Sequence, residues 1–136
     1  MASIFTKIVQ GEIPAHKVAE TNDYLAFLDI FPLVKGHILV IPKKEVDYIF
    51  DLEDDALSGL IQFAKQVAKA QKSVISCARI GVAVIGLEVP HAHVHLVPLQ
   101  TVSDINFEKP KLKIEHSALA ETAAQIKGIY DQMYGQ

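Results

Sequence analysis

The chain has 136 residues, a length that suits one domain with a core of its own. Hydrophobic residues make up 50% of it and charged residues 21%, which is typical of a globular protein and argues against a disordered one. A net charge of −3, a single cysteine and the lack of a long apolar stretch argue against a nucleic-acid-binding, a disulfide-bonded and a membrane protein, so we expect a cytoplasmic location.

Short elements follow one another along the chain, bounded by glycine, proline and polar residues. In order, the sequence predicts a helix over 3–10, strands over 16–21, 23–29 and 37–42, a long helix capped by Asp51, strands over 79–86 and 90–98, and a final helix capped by Ser117. The apolar, β-branched run 79–86 is expected to be a central strand. Adjacent strands with one long helix between them indicate an α+β domain on an antiparallel sheet of about five strands.

The stretch PHAHVHLVP, residues 90–98, places three of the chain's six histidines at alternate positions. Side chains two residues apart in a strand share a face, so His91, His93 and His95 should line one surface of the sheet. The apolar residues between them should face the core, which is the pattern of a half-buried strand. Strict alternation argues against three histidines with unrelated roles.

A metal site is one interpretation of this row, because imidazole binds zinc and two histidines on one strand face can chelate it. The rise of a strand puts the Cα atoms of His91 and His95 about 13 Å apart, which counts against three histidines sharing one ion. A site of two histidines completed by Glu88 or His37 stays open.

Nucleophilic catalysis is the interpretation that we favour. A neutral imidazole is a good nucleophile toward phosphorus, and an ordinary pKa of about 6.5 keeps it mostly neutral near pH 7. Neighbouring imidazoles disfavour one another's protonation. One flanking ring can orient the nucleophile while the other donates a hydrogen bond to a phosphoryl oxygen.

The run His91-Ala-His93-Val-His95-Leu-Val resembles the histidine triad (HIT) superfamily, whose pattern is His-x-His-x-His followed by apolar residues. The stretches SIFTKIVQGEIP (3–14) and LAFLDIFPLVKGHILVIPKK (25–44) are similar to its Hint-like branch in order and spacing. The resemblance covers residues 3–99. It implies a HIT-like fold for residues 1–136 as a single HIT domain, in which residues 100–136 add a C-terminal loop and helix.

The resemblance implies a purine nucleotide-binding hydrolase or nucleotidyl transferase that cleaves nucleoside 5′-phosphoramidates, in which AMP or GMP is joined to an amine. His93 would attack the α-phosphorus and form a nucleotidyl–histidine intermediate, which water would then hydrolyse. His95 would contact the phosphate, His91 would orient the nucleophile, and His37 would stand beside the triad. We expect no metal and no other cofactor, and relatives of this kind imply a homodimer.

The resemblance also implies a nucleotide pocket. Asp29 would bind the ribose hydroxyls, with Ile30 beside it. The other residues that we assign to nucleotide binding are Ile4, Phe5, Ile8, Ile13, Phe27, Glu88 and Val89. Two alternatives stay open, because residues 4, 5 and 8 fall at a helical spacing typical of a core, and Asp29 equally suits a cap for the turn before Pro32.

Two stretches depart from the family pattern. Many relatives carry an Asn and then Gly-Gln before the first histidine, whereas Leu87 stands here where the Gln would hold the phosphate or the leaving group. Glu88 or a backbone N–H is the candidate substitute. Some bacterial relatives bind zinc through two cysteines and a histidine, but Ser3, Thr6 and Glu45 stand at those positions, and Ser and Thr are poor zinc ligands.

Other functions stay open from the sequence. A Fhit-like hydrolase of dinucleoside polyphosphates would share the nucleophile and differ in its leaving group. A nucleotide-binding sensor of low turnover would fit the missing Gln, and a metalloprotein would hold stoichiometric zinc. The loop that contains Phe107 is a candidate to close over the leaving group.

Overall fold

The structure, a computed structural model, describes residues 2–135. A five-stranded antiparallel sheet lies at its centre, with the strand order β1-β2-β3-β5-β4. The elements are α1 (Ile4–Val9), β1 (Lys17–Glu20), β2 (Tyr24–Leu28), β3 (Ile38–Pro42), α2 (Asp54–Val74), β4 (Arg79–Ala83), β5 (Val94–Leu99) and α3 (His116–Tyr134), with short 3-10 turns at Ile49–Asp51 and Val102–Ile105. The predicted α+β class and the five-stranded antiparallel sheet are confirmed.

The two faces of the sheet are covered by different helices. On one face, alternate residues of β2 and β3, such as Ala26 and Val40, join the main core with α2 and α3. On the other face, Phe27 and Leu39 pack with Phe5 of α1 in a second apolar cluster. The strict alternation of strand side chains produces this division. The second face of the sheet is thinly covered, and the short helix α1 lies on it.

The strand at 79–86 was expected at the centre of the sheet, and this expectation was wrong. β4 pairs with β5 on one side only and forms an edge, and the exposed Val82 belongs to it. An apolar, β-branched run favours a strand but carries no information on its position in the sheet. β5, the last strand along the chain, lies between β4 and the central strand β3.

The predicted helix caps were also wrong. Asp51 lies in the 3-10 turn, where its N–H donates to the carbonyl of Tyr48, and α2 follows Glu53 instead. Ser117 is already helical, because α3 follows Glu115. An N-cap residue needs extended backbone, which neither predicted residue has. Among residues 2–135, no helix combines the length and the apolar character needed to cross a membrane.

A glycine turn carries the chain into β3. Gly36 has a φ of +88°, in the left-handed region, and a Cβ there would lie 2.6 Å from Cγ1 of Ile75. The loop is closed by two backbone bonds, from His37 N–H to the carbonyl of Val34 and from Asp29 N–H to the carbonyl of His37. Only glycine fits this turn, which sets His37 at the start of β3.

Gln71 ties α2 to this turn and to β5. The side chain is fully buried, and its Nε2 donates to the carbonyl of Gly36 at 2.8 Å and to that of Leu96 at 3.0 Å. Its Oε1 has no hydrogen-bond partner among the described residues. One amide group therefore satisfies two carbonyls that lie close to the buried histidines.

Replacing Gln71 by Met should lower the free energy of unfolding by about 1–3 kcal/mol, because two buried carbonyls lose their donor while the side-chain volume is kept. Urea denaturation measures the loss. Gln62→Met, on the exposed side of the same helix, is the control and should change stability by less than about 0.5 kcal/mol. Equal effects at the two positions would contradict the bridging role of Gln71.

Candidate active site

Four histidines meet on the face of the sheet that α1 covers. His95 lies opposite Leu39 in the β3–β5 ladder, and His37 directly precedes β3. His91 and His93 stand in the irregular segment before β5, so only one of the three triad histidines is within the strand. All four side chains are buried, with exposed fractions of at most 8%, whereas the sequence pattern predicted a half-buried row.

The position of one proton on His93 follows from its backbone partner. Nδ1 of His93 lies 2.7 Å from the carbonyl oxygen of His91, which can only accept, so Nδ1 carries the proton. In the neutral ring, Nε2 then keeps its lone pair. Phe5 packs edge-on against this ring with the centroids 5.0 Å apart. The local backbone therefore holds an imidazole with a free nucleophilic nitrogen.

A chain of hydrogen bonds determines which ring nitrogens of His37 and His95 carry a proton. The N–H of Leu33 donates to Nδ1 of His37 at 3.1 Å, so the proton of this neutral ring sits on Nε2. Nε2 of His37 lies 3.0 Å from Nδ1 of His95, to which it donates. The proton of His95 is therefore on its Nε2. This arrangement leaves His95 with an N–H that can donate to a phosphoryl oxygen.

Burial keeps these imidazoles uncharged. It lowers the pKa of His37 from 6.5 to about 3, with help from the neighbouring His95, Lys111 and His93. It also lowers the pKa of His95 to about 4, and the charges of His93 and Lys111 act in the same direction. The pKa of His91 is lowered by burial too, although the carbonyl of Pro42 and Glu45 oppose the shift. At neutral pH, His37 and His95 thus offer hydrogen bonds without a positive charge.

The free energy of unfolding should fall as the pH drops from 7 to 5. Below the ordinary pKa of 6.5 the unfolded chain takes up protons at positions 37 and 95, while the folded protein does so only near pH 3 to 4. The expected loss is about 1–2 kcal/mol per histidine, measured by denaturation at several pH values. His37→Phe should flatten the slope, and an unchanged slope would contradict a neutral buried His37.

Asp29 directly follows β2 and faces the histidine pair. Its Oδ1 accepts a hydrogen bond from the N–H of Phe31 at 2.9 Å, so the turn-capping role is present. Its Oδ2 lies 3.9 Å from Nε2 of His37. Burial raises the pKa of Asp29, against the opposing effects of the Phe31 N–H and of Lys111. One oxygen thus holds the loop while the other is turned toward the site.

The donor atoms of Asp29, His37 and His95 all lie within 4.8 Å of one another, which is a spacing that a metal ion can use. A neutral histidine that binds a metal through Nε2 carries its proton on Nδ1 and donates it to an acceptor. Nδ1 of His37 instead receives the N–H of Leu33. This second partner disfavours a metal bound by His37.

Ser3, Thr6 and Glu45 form a hydrogen-bonded cluster around His91. Oγ of Ser3 lies 2.8 Å from Nδ1 of His91, while Nε2 of the same ring lies 2.8 Å from the carbonyl of Pro42. That carbonyl fixes the proton on Nε2, so Ser3 is the donor to Nδ1. Glu45 accepts from the hydroxyl of Thr6 and the N–H of Ser3, both at 2.6 Å, and these bonds lower its pKa to about 2.

Ser3→Ala should lower the free energy of unfolding by about 1–2 kcal/mol, because α1 loses its N-cap and His91 loses a donor. Chemical denaturation gives the change. Ser3→Thr retains the hydroxyl and is the matched control, expected to stay close to wild type. Equal losses in the two variants would show that the hydroxyl does not support His91.

The apolar residues predicted for the base are only partly brought together. Phe5, Ile8 and Phe27 belong to one cluster, against which Ile13 and Val89 pack. Ile4 and Ile30 lie outside it and are exposed. Glu88 is also exposed, and its charge raises the pKa of Asp29, which places it near the site. Leu87 is 88% exposed, so its side chain packs on none of these groups.

Backbone groups are the part of the site that the sequence did not reveal. The histidine rings bond to the N–H of Leu33 and to the carbonyls of Pro42 and His91. Patterns of side chains in a sequence do not predict such bonds to the backbone. The ring of Phe107 lies 4.6 Å from that of His95, centroid to centroid. The sequence made the loop that contains Phe107 a candidate to close over the leaving group, but it did not predict the contact of this ring with His95.

The comparisons with known proteins agree with this geometry. Residues 10–102 match the HIT domain. The chain belongs to the HIT domain family. An uncharacterized HIT-like protein of Borreliella burgdorferi is 34% identical over 131 residues, which are 90% of this chain and 94% of that one. Adenosine 5′-monophosphoramidase HNT1 of Saccharomyces cerevisiae is 40% identical over 98 residues, which are 71% of this chain and 62% of the yeast protein.

Solved HIT structures share the fold over nearly the whole chain. A HIT-like protein from Bartonella henselae superposes with a TM-score of 0.80 at 30% identity, covering 93% of this chain and 95% of that one. A zinc-bound histidine triad family protein from Mycobacterium smegmatis also gives 0.80, at 25% identity, covering 98% of this chain and 96% of its own. The HIT-like fold expected from the motif is confirmed.

Proposed function

We propose that this HIT protein is a purine nucleotide hydrolase that cleaves nucleoside 5′-phosphoramidates and related conjugates at the α-phosphate. The observation that carries the proposal is His93, whose Nδ1 is held by the His91 carbonyl so that Nε2 is free to attack. The similarity to a yeast adenosine 5′-monophosphoramidase supports the choice of substrate and favours the Hint-like branch.

The proposed reaction has two displacements at phosphorus. Nε2 of His93 forms a bond to the α-phosphorus, and the leaving amine departs with the electron pair of the broken P–N bond and takes up a proton. Water then attacks the nucleotidyl–histidine, the N–P bond breaks, and the nucleoside monophosphate is released as His93 is restored. His95 donates its Nε2–H to a phosphoryl oxygen, as the bond from His37 supports. His91 orients the nucleophile through its carbonyl.

Nucleotide binding would use the same face of the sheet. We assign the ribose hydroxyls to Asp29, whose Oδ2 is turned toward the histidines. The base would lie among apolar side chains near α1. The residues assigned to this pocket and its rim are Ile4, Phe5, Ile8, Ile13, Phe27, Ile30, Glu88 and Val89.

The proposed chemistry needs no metal. The bond from Leu33 to Nδ1 of His37 supports this, since a metal on the other ring nitrogen would require an acceptor there. At the position where some relatives bind zinc, Ser3 and Thr6 supply hydroxyls to His91 and Glu45. The hydroxyl of Ser3 thus holds the ring of His91 without a metal.

We also propose a homodimer, as in relatives of this kind. The outer edge of β4 has no strand partner among the described residues. Val82 and Val84 are exposed on or beside that strand, and Ile61 is exposed on α2. An unpaired apolar edge is a favourable place for a second copy to extend the sheet.

A nucleotide-binding sensor of low turnover is the second candidate. The exposure of Leu87 favours it, because no side-chain donor stands where the family Gln would contact the phosphate or leaving group. Loss of one such donor costs about 10²–10³-fold in rate in other enzymes. Rapid-quench trapping of labelled protein–AMP separates the two functions, since a pure binder forms no covalent adduct.

His93→Ala should abolish release of AMP from an adenosine 5′-phosphoramidate, with a loss of at least about 10³-fold in kcat, because no nucleophile remains. Product formation is followed chromatographically, with and without a chelator, and wild-type activity should resist the chelator. His16→Ala, which removes a histidine away from the site, is the control and should stay active. Turnover that survives in His93→Ala would refute the proposed mechanism.

A further inference from the structure

Residues 106–112, here called the closing segment, return from the end of β5 to the histidines. The N–H of Leu112 donates to the carbonyl of Pro32 at 2.8 Å, which fastens the segment to the loop between β2 and β3. Near its start, Oδ1 of Asn106 accepts the N–H of Glu108, and the carbonyl of Asn106 accepts the N–H of Lys109. The closing segment is thus folded on itself at its start and fastened at its end to the loop that carries Asp29.

Phe107 is the side chain of the closing segment that touches the triad. Its half-buried ring meets His95 edge-on with a centroid distance of 4.6 Å, and the centroid of His37 is 6.4 Å away. This contact removes water from one side of both imidazoles. It also places the following residues of the segment at the rim of the site.

The ammonium group of Lys111 is held at this rim. Its Nζ donates to the carbonyl of Phe107 at 2.7 Å and lies 5.8 Å from the centroid of the same ring. An ammonium has three N–H donors, so two are left for another acceptor. The side chain is otherwise exposed, which leaves those donors accessible to a ligand.

The histidines and carboxylates around the site supply no positive charge to balance that of a phosphate. His37 and His95 are neutral, because a second proton on Nδ1 of His95 would face the N–H of His37. Asp29 and Glu88 add negative rather than positive charge. Among residues 2–135, Lys111 is the lysine or arginine whose charge acts on Asp29, His37 and His95 alike. Neutral imidazoles can donate hydrogen bonds to a phosphoryl anion but cannot balance its charge.

We propose that Lys111 binds the anionic phosphoryl oxygens of the nucleotide, while Phe107 closes the site over His95. The inference rests on the proposed function and adds a phosphate-binding residue from outside the triad motif. Lys111 takes the place of the side-chain donor that is missing at Leu87. The ligand class that it selects is a nucleotide with a charged phosphate, as opposed to the nucleoside alone.

Calorimetric titration with AMP and with adenosine tests the inference without requiring turnover. Lys111→Gln should weaken AMP binding about tenfold or more and leave adenosine binding unchanged, because only the phosphate contact is lost. Lys111→Arg should restore most of the affinity. Lys109→Gln removes the same charge two residues away in the closing segment and should bind AMP as wild type does. The AMP effect of Lys111→Gln should shrink at high salt, since the residue is exposed.

The possible results separate the two proposals. If wild type and Lys111→Gln bind AMP equally well, Lys111 has no specific role and the nucleotide function stands. The same conclusion follows if Lys109→Gln weakens AMP binding as much as Lys111→Gln does. If Lys111→Gln weakens adenosine as much as AMP, the residue only shapes the loop, which also overturns the inference. If wild type binds neither ligand, the proposed function itself fails.

Discussion

The N–H of Leu33 points at Nδ1 of His37, and this bond decides where the protons lie at the centre of the site. Once Nδ1 accepts, Nε2 of His37 must donate to His95, and the proton of His95 must face away from the pair. The bond exists because the loop before β3 is closed tightly around Gly36, where no side chain fits. Backbone geometry therefore determines the tautomers of two imidazoles, although neither residue has a charged partner within hydrogen-bonding distance.

The site that results is a set of neutral donors and acceptors with fixed directions. Both nitrogens of His91 are bound by neighbouring groups, whereas His93 and His95 each have one bound nitrogen and keep the other for a ligand. Burial keeps His37 and His95 neutral over the physiological range. An active site of this kind is preorganised, because the groups that would meet a phosphoryl centre do not have to reorient. The positive charge comes from the closing segment at the rim.

Much of the fold follows from local sequence patterns, and the part that does not has a physical explanation. Alternating apolar residues predicted the strands. The period of two applies to His95 alone, because His91 and His93 precede β5, although the rings of both pack on Phe5 of α1. The edge position of β4 was missed because strand composition does not specify neighbours. The tautomers could not be predicted, since they depend on backbone groups such as the carbonyls of Pro42 and His91. Phe107 was a candidate for closure, but its contact with His95 depends on the path of a long loop.

The strand order has a consequence for the way the protein is made. β5 lies between β3 and β4, yet it is the last strand to be synthesised. β4 pairs only with β5, so it has no partner in a chain that ends before residue 94. Domains generally fold as units during translation, and contacts between distant residues form late. Insertion of β5 therefore completes the sheet and brings His95 to His37, 58 residues away in sequence, in the same event. A nascent chain that lacks this strand has neither a finished core nor a reactive centre.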